Sequence, residues 1–139
     1  MTTTRKASAV WNGNLVQGKG IVTMVSSKVG SFDVSWPSRS EEPNGTTSPE
    51  ELIAAAHASC FSMALSHELT SAGTPPTQLR TSAEVDFQPG VGITAIRLHV
   101  SGEVAGLDSA GFAKIANAAK DGCPVSQALK AVPISLTIG

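Results

Sequence analysis

Ser48-Pro49-Glu50-Glu51-Leu52-Ile53-Ala54-Ala55-Ala56-His57-Ala58-Ser59-Cys60-Phe61-Ser62-Met63-Ala64-Leu65-Ser66 is the stretch on which the fold turns. Its first residues spell a helix start. Ser48 fits the N-cap, Pro49 fits N1, and Glu51 at N3 completes a capping box. The helix is expected to run to about Ser71 and to stop at Gly73 and Pro75-Pro76. Its middle, Leu52 to Leu65, is apolar nearly all round, and a helix apolar on every face is buried on every face. It therefore reads as the central helix, with alanines that let a partner helix approach closely.

Upstream, Lys6–Trp11 and Leu15–Ser26 read as two strands joined by Asn12-Gly13-Asn14, a strong hairpin signal. Ser31–Trp36 alternates as Phe32, Val34 and Trp36, which gives a third strand. Pro37 to Thr47 reads as a polar loop. Downstream, Leu79–Gln88 and Gly92–Val104 alternate around Pro89-Gly90. Asp108 or Ser109 caps a second helix, Ala110–Lys120, which Gly122 ends. Pro124 at N1 opens a short third helix to about Lys130, and Ile134, Leu136 and Ile138 make a last strand. Strands grouped apart from helices predict an α+β fold rather than a parallel βαβ sheet. With no repeat and no linker, residues 1–139 read as one domain.

A net charge of −1 and a pI near 6.3 argue against a nucleic-acid partner held through phosphates. No apolar stretch follows Arg5 and Lys6 as a signal peptide requires, and Leu52–Ser66 is too short to span a bilayer, so no membrane partner is expected. A cytoplasmic protein is expected, and there two cysteines are more often reactive than a permanent staple. Charged residues are 15% of the chain against about 25% in typical domains, too few for a small monomer's surface, so a large subunit interface is expected.

The two cysteines, Cys60 and Cys123, sit in contrasting places. Cys60 lies mid-helix, where no helix end favours its thiolate and burial opposes it. It reads as a small core residue unless a cation reaches it. Cys123, in Gly122-Cys123-Pro124, stands at a helix N-terminus, where free N–H groups favour a thiolate. His57, one turn before Cys60, could share a metal ion with it or serve it as a base. It also reads as a histidine satisfied within a helix interface. His67 lies seven residues after Cys60, about 10 Å further along the axis and too far for the same ion; Cys123 could add a third ligand, and no fourth stands out.

Ser48–Ser66 as quoted resembles the signature of the osmotically inducible protein C family, which is related to the organic hydroperoxide resistance proteins. Gly122-Cys123-Pro124-Val125-Ser126-Gln127 resembles its second signature, and Trp11-Asn12-Gly13 and Gly18-Lys19-Gly20 fit as well. The likeness covers nearly the whole chain and is closer to the osmotically inducible branch. It implies an OsmC-like fold, with antiparallel sheets wrapped around the long central helix, in an intertwined homodimer. It also implies a thiol peroxidase without metal, haem or flavin. Cys60 would be the attacking thiolate and Cys123 the resolving thiol. Arg39 would hold the thiolate, and Glu50 would orient the guanidinium. The substrate would be an organic hydroperoxide or hydrogen peroxide, and the reductant a dithiol such as lipoamide. Read without the likeness, Arg39 is a solvated loop charge and Glu50 a helix-dipole residue. Glu50 and Cys60 stand ten positions apart on one helix, about 15 Å along its axis. Arg39 and Glu50 are therefore expected to serve the Cys60 of the other subunit. Two further classes stay open: a small-molecule binding domain with structural cysteines, and a thiol hydrolase using Cys60 and His57.

Overall fold

Trp11 and Gly20 face each other at the heart of the first sheet. The computed structural model describes residues 1–139 and separates them into two compact units, Met1–Glu50 and Glu51–Gly139. In the first, β1 (Ala7–Asn12), β2 (Lys19–Met24) and β3 (Ser31–Val34) form an antiparallel sheet in the order β1-β2-β3. The register aligns Trp11, Gly20 and Val34. A Cβ on Gly20 would fall 2.7 Å from Trp11 Cε3 and 2.9 Å from Val34 Cγ2. Only glycine lets the indole lie across β2.

Two local expectations are corrected in this unit. The hairpin forms, but residues 13–18 are all loop and the second strand starts at Lys19 rather than Leu15. Asn14 organises that loop: its Oδ1 accepts the Gln17 N–H at 2.7 Å and its carbonyl accepts the Gly18 N–H at 2.9 Å. An Asn side chain bonding its own neighbourhood competes with a two-residue turn. The segment read as a polar loop opens with a short helix, α1 (Trp36–Ser40). Ser35 caps it, its Oγ accepting the Ser38 N–H at 3.3 Å, with Pro37 in the first turn. Ser-Trp-Pro-Ser carried this start signal. Arg39 thus stands on the last turn of a helix, where its charge complements the dipole.

The second unit is built on α2 (Pro49–Ser71), β4 (Gln78–Gln88), β5 (Gly92–Glu103), α3 (Ser109–Gly122), α4 (Pro124–Ala128) and β6 (Ile134–Ile138). β4 and β5 are an antiparallel hairpin around Gly90, whose φ of +81° suits glycine. β6 then pairs with β5 in parallel, so this sheet is mixed rather than antiparallel throughout. The two helices between β5 and β6 give the chain room to cross over and re-enter from the same end.

Phe61, Leu65 and Leu69 recur every four residues on α2 and form the core with Leu98 and Val100 of β5, Phe112, Ala116 and Ala119 of α3, and Cys123. The other side of α2 is open. Ala55, Ala56 and Ser59 are exposed and Met63 is 71% exposed. The helix expected to be buried on every face has an apolar face uncovered in the single chain. No helix is long and apolar enough to cross a membrane.

Candidate active site

Cys60 and Cys123 are brought together in the second unit by α2 and the α3–α4 junction. Cys123 is buried, and its peptide is gripped from both sides. Its N–H donates to the Ala119 carbonyl of α3 at 2.9 Å, and its carbonyl accepts the Gln127 N–H of α4 at 3.0 Å. Pro124 follows at the start of α4, where its missing N–H breaks no bond. Half-buried Cys60 packs against this cluster, and both thiols are free.

The Cys60 thiol is pushed up in pKa chiefly by burial. A hydrogen bond with the Cys123 side chain and the charge of Cys123 push in the same direction, and the backbone N–H of Val125 opposes them. The direction is the one expected of a buried thiol in the middle of a helix. The first turn of α4 lies after Cys123 in the chain, and its Val125 packs, like Cys60, against the core that holds Cys123. That contact is tertiary, and nothing near Cys60 in the sequence announces it.

His57 is fully buried. Its Nε2 is 2.7 Å from Ser126 Oγ on α4, and its Nδ1 has no partner. Neither ring nitrogen bonds Cys60, so the geometry offers no Cys–His nucleophile and base. No three His, Cys, Asp or Glu side chains gather as a metal site needs. His67 is exposed.

Arg39 and Glu50 meet within the first unit. Arg39 Nε lies 2.9 and 3.2 Å from the two Glu50 carboxylate oxygens, and one terminal nitrogen lies 2.9 Å from Oε1. The fork fixes the guanidinium plane. Glu50 is buried, and a buried carboxylate needs such a partner. Arg39 also lines a cavity of about 350 Å³ whose walls are Trp11, Leu15, Val34, Ser35, Trp36 and Pro49. The sequence reading did not assign these walls. Their signal was two tryptophans, Trp11 and Trp36, in a chain with few aromatics.

Residues 42–137 match the family model described as OsmC-like protein. The chain is 45% identical over 134 residues to Peroxiredoxin OsmC of Escherichia coli (strain K12), covering 94% of this chain and 93% of that one. The structure is similar to an organic hydroperoxide resistance protein OsmC from Legionella pneumophila, with a TM-score of 0.72 at 23% identity over 99% of both chains. It is also similar to the organic hydroperoxide resistance protein OhrB of Bacillus subtilis, with a TM-score of 0.69 at 24% identity over 96% of this chain and 98% of that one. At these identities the solved structures speak for the mixed α+β fold with two small sheets and a long helix.

Proposed function

The chain belongs to the OsmC-like protein family, and from that premise we propose that it is a cysteine-based peroxidase reducing organic hydroperoxides and hydrogen peroxide through Cys60 and Cys123. The meeting of these two thiols carries the reading, because a peroxidase of this kind needs a second sulfur beside the first. The Cys60 thiolate attacks one peroxide oxygen and the O–O bond breaks. Cys60 becomes a sulfenic acid, and the released alkoxide takes a proton and leaves as an alcohol. Cys123 then attacks the Cys60 sulfur. The S–S bond forms, the S–O bond breaks, and hydroxide leaves as water. An external dithiol, of the lipoyl type, returns two electrons, opens the disulfide and is itself oxidised. The cycle passes its electrons through sulfur alone.

Burial works against the Cys60 thiolate, so the reaction needs a fixed cation, and Arg keeps its charge at any working pH. In this reading Arg39 is that cation and Glu50 holds it in plane. The protein works as an intertwined cytoplasmic homodimer, in which the two units of each chain serve one peroxidase domain and Arg39 and Glu50 serve the partner's Cys60. The open apolar face of α2 supports the dimer. The cavity beside Arg39, walled by two tryptophans, supports a preference for peroxides with an organic tail. Peroxide consumption with a supplied dithiol tests the whole scheme. Cys60→Ser is expected to abolish it, and Cys123→Ser to allow one turnover before the thiol stalls or over-oxidises. Full steady activity in Cys60→Ser would sink the proposal.

A further inference from the structure

His57 is the buried titratable group that this chemistry leaves unused. It lies on α2 one turn before Cys60, and its partner Ser126 is also buried. Ser126 immediately follows Val125, which, like Cys60, packs against the core cluster that holds Cys123. The His57 Nδ1 is buried with no partner. A bare ring lone pair is less costly to bury than an orphaned N–H. On that ground the proton is assigned to Nε2, which donates to Ser126 Oγ.

The bond ties α2 to α4 beside both thiols. α4 has five residues, Pro124–Ala128, and a helix that short does not hold itself in place. Its own anchors are backbone bonds to its flanks, such as Gln127 to Cys123 and Leu129 to Val125. We infer that the His57–Ser126 bond is a pin that fixes the first turn of α4 against α2, keeping Cys123 and the start of α4 within reach of the Cys60 sulfur. His57 and Ser126 are then positioning residues, acting through the start of α4 and Cys123. The inference takes its functional meaning from the reading of Cys60 as the attacking thiol, but the pin is measurable without peroxide.

The test is alkylation of Cys60 by iodoacetamide as a function of pH, resolved from Cys123 by peptide mass spectrometry. It is paired with the rate of peroxide-driven disulfide closure. His57→Leu, Ser126→Ala and the double variant are each expected to move the Cys60 profile to higher pH and to slow closure about tenfold, the equivalent of one pK unit. His57→Gln is expected to keep the wild-type profile, because its Nε2 can donate to Ser126. The double variant leaves no orphaned donor or acceptor between the helices, so its fold is expected to recover where the single variants weaken. A folded double variant with wild-type profile and closure rate overturns the inference. So does a folded His57→Gln that loses as much as His57→Leu. Peroxide reduction surviving in Cys60→Ser would fail the peroxidase reading alone, and the alkylation profile would still decide on the pin.

Discussion

Cys60 carries an ionisation problem that its neighbours divide among themselves. Burial and Cys123 favour the thiol, and the Val125 N–H favours the thiolate. In the proposed reading the Arg39 charge decides the balance. Arg39→Met is then expected to slow peroxide reduction at neutral pH by about a hundredfold, the scale of an opposite charge within a few ångströms. Activity should partly return as pH rises and ionises the thiol without help. Rates measured from pH 6 to pH 9 check this, and a loss equal at every pH would mean Arg39 acts some other way. His57 gives a prediction about stability. Burial lowers its pKa below the ordinary 6.5, so between those values the unfolded chain binds a proton that the folded chain refuses. Its contribution is full above pH 6.5 and is lost as pH falls through the lowered folded value. The melting temperature should therefore drop more between pH 7.5 and pH 5.5 in the wild type than in His57→Gln. Equal drops would remove His57 from the account.

Elements with local signals were legible in the chain, and elements set by distant contacts were not. The start of α2 was readable from Ser48 and Pro49, and the β4–β5 hairpin from alternation around Pro89-Gly90. The parallel pairing of β6 was not, because strand direction is decided by where α3 and α4 deliver the chain. α1 was missed although Ser35 and Pro37 mark it, since five residues in a polar stretch show no period. At the site, the cysteine motifs were legible as a resemblance. The bond from His57 to Ser126 was not, because it joins elements far apart in sequence. The sheet itself makes a prediction. Gly20→Val would drive a side chain into the Trp11 ring and the Val34 methyl, and is expected to destabilise the fold by about 1–3 kcal/mol. Denaturant unfolding measures this, and an unchanged midpoint would mean the indole moves aside freely.

At the scale of the whole molecule, both units leave apolar surface uncovered. Val10 and Ile21 pair across β1 and β2 yet are 62% and 49% exposed, and Met63 on α2 is 71% exposed. Apolar patches of this kind mark surfaces that meet a partner. A second copy of the chain is the simplest occupant, since a two-fold axis pairs a patch with itself. Such a dimer also answers the spacing along α2. Glu50 and Cys60 stand about 15 Å apart along one straight helix, longer than an Arg side chain spans comfortably. Antiparallel packing of two α2 helices would bring the helix start of one chain toward the middle of the other, carrying Glu50 and the Arg39 bonded to it. Mixing Arg39→Met subunits with Cys60→Ser subunits tests this directly. At neutral pH in the proposed scheme the Cys60→Ser homodimer is inactive and the Arg39→Met homodimer is about a hundredfold slow. A mixed dimer with shared sites holds one complete site, so exchange is expected to restore up to about half the wild-type activity per mixed dimer. Mass spectrometry of the intact dimers reports whether exchange has occurred. Mixed dimers formed in quantity, with no activity returning, would place Arg39, Glu50 and Cys60 of each site on one chain.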